Sequence, residues 1–174
     1  MNMSLPKYSK GFTLLELLIS ISIIGIIAGG IIPSFSGYIK NQNLQQAQEQ
    51  FKSELRTVQN KALTGSLSDL QISGSYAQYW GVSFPDDSGS LVNIFVSTTN
   101  TTCSGATVID KGSFTIPNKI LYYYAPNCIF FNIKNGDITT LGPENTTSVN
   151  LNFQNKKDGD VGKNVNFYPS GLIY

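Results

Sequence analysis

A single carboxylate, Glu16, stands near the start of an otherwise uncharged apolar run that reaches Ile32. A helix needs about 20 apolar residues to cross a bilayer, and this run is long enough. A carboxylate inside such a stretch costs roughly 2.5–3.5 kcal/mol on insertion scales, so it calls for a compensating partner. The residues around it read Lys10-Gly11-Phe12-Thr13-Leu14-Leu15-Glu16, and the apolar run begins directly after Gly11. Ahead of the glycine lies a short basic leader, Met1 to Lys10. Taken alone, Glu16 reads equally well as a membrane-surface glutamate favoured by the positive end of the helix dipole.

Leader, glycine, phenylalanine, glutamate and span stand in register, and together they resemble the class III signal of type IV prepilins and type II secretion pseudopilins. The resemblance implies that a prepilin peptidase cuts between Gly11 and Phe12 and methylates the new amino terminus. Phe12 then becomes N-methyl-phenylalanine, with its positive amine one helical turn before Glu16. It further implies that Glu16 of one subunit neutralises the Phe12 amine of a neighbour as the helices bundle into a filament. A buried charge left alone is costly while a paired one is tolerable, so assembly would depend on processing. The implied partners are the prepilin peptidase, other pilin or pseudopilin subunits, an inner-membrane assembly platform and the cytoplasmic membrane.

The 174 residues hold one membrane segment and one modest globular domain. Charged residues make up 13%, against about 25% in typical soluble proteins. Asn, Ser, Thr, Gly and Tyr carry the polarity instead, which suits an extracytoplasmic β-rich domain. Removing Lys7 and Lys10 from the 12 basic residues leaves 10 against 11 acidic ones, a mature chain near −1 with Arg56 its only arginine. With no basic patch, nucleic acid is not an expected partner. Two lysines before the span, and no basic residue between Gly11 and Ile39, predict a cytoplasmic amino terminus. A cleaved secretory signal fits less well. The run exceeds the usual apolar core of about 7–15 residues, and Pro33-Ser34-Phe35-Ser36 matches a small-x-small site poorly.

The chain has no histidine and two cysteines, Cys103 and Cys128. Ser-His and Cys-His nucleophiles are therefore excluded, no carboxylate pair stands out, and no enzyme activity is expected. The cysteine spacing fits neither a CxxC redox element nor a zinc site, and no metal or cofactor is expected. A Cys103–Cys128 disulfide is the reading if the compartment is oxidising, with two unpaired buried thiols as the alternative.

The expected fold class is α+β. Residues 1–11 form the leader and 12–64 a long amino-terminal helix, with 12–32 transmembrane. Residues 65–174 form an antiparallel β-rich head. Pro33 removes one backbone donor within the helix and is expected to kink it. Beyond it Leu44, Ala47, Phe51, Leu55, Val58 and Ala62 recur at steps of three and four, giving one apolar stripe. Gly65 is the expected C-cap. Tyr79–Phe84 and Leu91–Val96 read as a hairpin around Asp86-Asp87-Ser88-Gly89. Strands are also expected over Ile120–Ala125, Ile129–Ile133, Val149–Phe153, Val165–Phe167 and Leu172–Tyr174. Asn135-Gly136 marks a type I′ turn between strands. Ser97–Gly105 is the most loop-like segment.

The helix ending at Lys61-Ala62-Leu63, the Tyr-Trp-Gly-Val-Ser-Phe strand and the closing Val-Asn-Phe-Tyr-Pro-Ser-Gly-Leu-Ile look like the GspH/FimT branch of minor pilins and pseudopilins. The region Ser97–Asn118 departs from that branch in being longer and richer in Thr and Ser. Asn155–Lys163 contains a Gly-Lys pair and Asp158-Gly159-Asp160. It lacks the phosphate-loop spacing and the acidic twelfth position of a calcium hand, so it reads as a polar hairpin loop. Asn100-Thr101-Thr102 and Asn145-Thr146-Thr147 have the form of glycosylation sequons, which in an Asn/Thr-rich chain arises readily by chance. Tyr122-Tyr123-Tyr124 and Phe130-Phe131 are expected to place half of each run in the core.

The expectation is a structural subunit of a type IV pilus or type II secretion pseudopilus, held in the cytoplasmic membrane with its head outside. Two rivals remain. One is a DNA-uptake pilin acting as DNA receptor, which the absence of basic residues in 167–174 disfavours. The other is a membrane-anchored ligand-binding domain that never assembles.

Overall fold

Helix α1 spans Leu14–Leu63 and ends where the sequence supplies the chemistry for ending. Gly65 takes a φ of 66°; its N–H donates to Ala62 O at 2.9 Å, and that of Ser66 to Lys61 O at 3.1 Å. These two bonds form a Schellman motif, which satisfies carbonyls that the last turn would otherwise leave open. The structure, a computed structural model, describes residues 11–174 except 87, 118, 124, 143–146 and 154–161, with 30–36 and 153 described by backbone alone. The leader 1–10, Tyr124, most of the Asn145 sequon and most of the Asn155–Lys163 loop lie outside the described residues, while the backbone at Pro33, where a kink is expected, stays within α1.

The chain divides into two compact units, Met1–Asn41 and Gln42–Tyr174. In the first, the side chains of Leu14, Leu15, Leu17, Leu18, Ile19, Ile21, Ile23, Ile24, Ile26 and Ile27 are all exposed. Among the described residues no helix is long and apolar enough to cross a membrane. Residues 30–36, which complete the expected span 12–32, fall outside the described side chains.

In the second unit α1 buries the predicted stripe: Leu44, Ala47, Phe51, Leu55, Val58 and Ala62 are all core residues. The opposing surface comes from two antiparallel sheets. The strands are β1 (Gln71–Ile72), β2 (Ser75–Tyr76), β3 (Tyr79–Ser83), β4 (Ser88–Gly89), β5 (Leu91–Ser97) and β6 (Val108–Thr115). They continue with β7 (Ile120–Tyr123), β8 (Cys128–Asn132), β9 (Ile138–Leu141), β10 (Ser148–Phe153) and β11 (Lys163–Asn166). One sheet has the order β6-β5-β3-β8-β9, the other β11-β10-β7-β4, and β1-β2 forms a separate small hairpin. The fold is α+β.

The inner faces follow from period-2 alternation. Trp80 and Val82 of β3, Val96 of β5 and Ile129 and Phe131 of β8 join the helix stripe in one core. Ile120, Tyr122, Val149, Leu151 and Val165 join it from the other sheet. Strands β10 and β11 bury the apolar side of their alternation through Val149, Leu151 and Val165, and Asn152 is buried as well. Polar helix residues are engaged as well. Gln59 Nε2 donates to Gly171 O at 2.8 Å and to Gly136 O at 3.3 Å, and Arg56 donates to Ile173 O at 3.1 Å. Trp80 Nε1 donates to Ser66 O at 2.8 Å while Lys61 Nζ lies 5.4 Å from the Trp80 ring centroid.

Several local expectations are corrected. β8 and β9 do form a hairpin at Asn135-Gly136, but Phe131 pairs with Ile138 and Asn132 N–H donates to Asp137 O at 3.0 Å. That leaves a four-residue loop, 133–136, in which Gly136 alone has positive φ, at 72°. A type I′ turn needs positive φ at both central residues. The chain places that turn at Ser73-Gly74 instead, with φ of 50° and 86° between the Ile72↔Ser75 pair. The Asp86–Gly89 turn also does more than join β3 to β5. Its Ser88–Gly89 becomes β4, paired with β7 in the other sheet. Leu172–Tyr174 contributes a bridge, Phe167↔Ile173, rather than a full strand.

Candidate functional site

Gly11 and Phe12 precede the helix. A Cβ added at Gly11 would meet nothing within 4 Å, and Phe12 is 81% exposed. Thr13 is the residue that starts the helix. Its N–H and its hydroxyl both donate to Glu16 Oε2, each at 2.9 Å, and Glu16 N–H donates back to Thr13 Oγ1 at 3.2 Å. This is a reciprocal capping box, in which two otherwise orphaned N–H groups are satisfied by side chains three residues apart. The Thr-x-x-Glu spacing makes the cap readable from sequence, and the emphasis on Glu16 as a charge passed over it.

The cap gives Glu16 a task inside its own chain. One carboxylate oxygen is held by Thr13, while Oε1 has no partner among the described residues. The run that follows has few polar side chains, and its described hydroxyls are turned inward on the helix. Ser20 Oγ donates to Glu16 O at 2.7 Å and Ser22 Oγ to Leu18 O at 2.8 Å. Hydroxyls satisfied by the i−4 carbonyl can enter an apolar environment without an unpaired donor. Among the side-chain groups described over 13–29, only the Glu16 carboxylate is therefore expensive to bury.

In the head, Cys103 and Cys128 are joined by a disulfide with Cα atoms 6.0 Å apart. Cys128 opens β8, and Cys103 lies in the Thr/Ser-rich loop between β5 and β6. The bond pins that loop over the outer face of the five-stranded sheet. Phe95, Cys128 and Phe130 form a second, smaller core there, with Tyr79, Cys103, Val108 and Leu141 packed around it. The Phe95 and Phe130 rings meet edge to face at 5.5 Å, and Tyr79 meets Phe130 at 6.0 Å. Gly81 faces this cluster, and a Cβ there would run into the Phe95 ring. The pair Phe130-Phe131 thus puts both rings in cores, one on each face of the sheet, because the tethered loop covers the side that alternation assigns to solvent. The expected long Ser97–Asn118 segment divides into this loop and the edge strand β6. β6 is protected by a bulge between Gly112 and Asp110 and by the exposed Asp110 and Lys111.

Tyr122 lies wholly in the main core with its hydroxyl reaching Asp86 N–H at 3.4 Å. Burial pushes its phenol above the ordinary range; the hydrogen bond from Asp86 N–H partly offsets this, and the Asp86 carboxylate charge adds to it. Among the described residues no three His, Cys, Asp or Glu side chains gather as a metal-ligand set.

Residues 6–32 match the prokaryotic N-terminal methylation motif. No curated protein and no solved structure matches the chain. The motif supports a type IV pilin-like precursor, which implies processing by a prepilin peptidase and assembly with other pilin subunits.

Proposed function

We propose that this chain is a minor pilin or pseudopilin of the GspH/FimT kind, a structural subunit of a type IV pilus or a type II secretion pseudopilus. It is cut between Gly11 and Phe12, methylated at Phe12 and held in the cytoplasmic membrane by residues 12–32, with a cytoplasmic amino terminus. The assembly platform then draws it into a filament through its helix, and the head serves assembly or recognition from outside.

The methylation motif over 6–32, which includes the Gly11-Phe12 junction, carries the reading. The local structure supports the chemistry. Processing leaves an ammonium group at Phe12, and Glu16 offers one carboxylate oxygen already organised by Thr13 and a second with no partner among the described residues. Pairing that carboxylate with a neighbour's terminus removes the cost of carrying it in an apolar bundle.

Mass spectrometry of the native amino terminus, in membrane and in sheared-filament fractions, tests the proposal. A methylated Phe12 start in the sheared fraction supports processing and incorporation together. A methylated start found only in the membrane indicates a short pseudopilus or a priming role. An intact Met1 start in cells with an active peptidase overturns the reading in favour of a non-assembling anchored domain.

A further inference from the structure

A cleft of about 360 Å³ opens in the head between the turn after α1, strand β2 and the end of β8. It is lined by Ser68, Tyr76, Ala77, Gln78, Asn132, Ile133 and Lys134. Buried Ala77 and half-buried Ile133 form its floor, and polar side chains with an exposed tyrosine ring form its rim.

The hydrogen-bond inventory divides sharply here. Much of the backbone around the cleft is already engaged: Gln78 N–H donates to Ser97 O at 2.9 Å, Ile133 N–H to Gln78 O at 2.9 Å and Ala77 N–H to Leu70 O at 2.8 Å. Side chains are the reverse. The Ser68 and Tyr76 hydroxyls, the Gln78 amide and the Lys134 ammonium have no partner among the described residues, and Asn132 uses only its Oδ1, which accepts from Lys134 N–H at 2.8 Å. An extended peptide adding to a sheet edge needs a run of free main-chain groups, and the Ala77, Gln78 and Ile133 N–H groups are already bonded. A hydroxyl-bearing ligand needs free side-chain donors and acceptors, and these converge.

The rim also specifies charge and shape. Tyr76 is 58% exposed and presents a flat apolar face. Gln78 offers both an acceptor and two donors, and Asn132 keeps its NH₂ free to donate, as adjacent ring hydroxyls require. Lys134 brings a point positive charge, and among the described residues no carboxylate lines the cleft to oppose an anion. We propose that this cleft binds an acidic saccharide. The sugar ring lies on Tyr76, its hydroxyls bond to the Gln78 and Asn132 amides, and its carboxylate meets Lys134. The site sits within the head alone and does not depend on filament assembly.

The test uses the full chain in detergent micelles, titrated by calorimetry with a galacturonic acid oligosaccharide and with its neutral galactose counterpart. The acidic probe is expected to bind more tightly than the neutral one. Lys134→Gln is expected to weaken the acidic probe by roughly tenfold, the loss of one charge-assisted contact, and to leave the neutral probe unchanged. Tyr76→Ala weakens both. Both side chains are exposed, so the melting temperature serves as a fold control and is expected to stay constant. Absence of binding by either oligosaccharide at millimolar concentration overturns the proposal. Acidic binding that survives both substitutions also overturns it, by placing the site elsewhere, as does tighter binding of a short peptide than of the sugar.

Discussion

The two ends of α1 are made from similar apolar residues and meet opposite surroundings. Over 14–29 Leu and Ile point in every direction and stay exposed; over 44–62 a single stripe of Leu, Ala, Phe and Val is buried against the chain's own sheets. A helix that is apolar all round can satisfy itself only by burial on all sides, in lipid or among other helices. An amphipathic helix is satisfied by one partner surface, which here lies in the same chain. The distribution of apolar residues along the helix, more than their amount, decides how many of its sides need cover.

The largest effect that would break this comparison is expected at Glu16. Glu16→Gln keeps a capping residue at the third helical position but removes the charge. The variant is expected to be processed and membrane-inserted yet lost from the sheared-filament fraction. Normal incorporation would mean that the amine–carboxylate pairing does not drive assembly.

A second test sets the halves against each other by stability. Phe51→Ala removes a ring buried against Phe84 and Phe114, and is expected to cost about 3–5 kcal/mol in the thermal unfolding of the head. Leu18→Ala, in the exposed half, is expected to leave that transition unmoved. Equal effects would erase the distinction between the two regions.

Smaller by a little is the disulfide. Its bridge closes a sequence separation of 25 residues, and Cys103→Ser is expected to cost about 3–4 kcal/mol by the chain-entropy account. The variant is also expected to bind a hydrophobic dye, because the loop over Phe95 and Phe130 is no longer tethered. A head that melts unchanged and binds no dye would show that the outer cluster holds the loop without the bond.

The smallest effect is at alkaline pH. The Tyr122 phenol has a raised pKa in the folded head, so the folded state holds its proton where the unfolded chain, with a pKa of about 10, releases it. That contribution is fully present below pH 10 and is lost as pH rises through the folded value. Tyr122→Phe is expected to flatten the alkaline decline in melting temperature, and an unchanged slope would assign it to other groups.

Much of this architecture was readable from residue order. The stripe Leu44-Ala47-Phe51-Leu55-Val58-Ala62 matched the buried face because helical periodicity is a property of the local chain. Gly65 was readable as a cap for the same reason, since only glycine enters a left-handed conformation without penalty. The turns were less legible. Asn135-Gly136 has the stronger local preference for a type I′ turn, yet Ser73-Gly74 adopts it, because strand register fixed by core packing sets the loop length. Strand β4 was invisible, since nothing in Ser88-Gly89 signals a strand until β7 offers an edge to pair with.

From sequence alone came the chemistry of the amino terminus: a glycine–phenylalanine junction, a carboxylate one turn on and an apolar run. These are local properties of consecutive residues, and no distant part of the chain is needed to define them. Tertiary structure decided which cysteine loop covers the outer face of the sheet and why Phe130 and Phe131 are both buried. It also decided that Ser68, Tyr76, Gln78, Asn132 and Lys134 share one cleft. Those facts depend on residues up to about 66 positions apart being brought together, and only sheet pairing and packing can specify that.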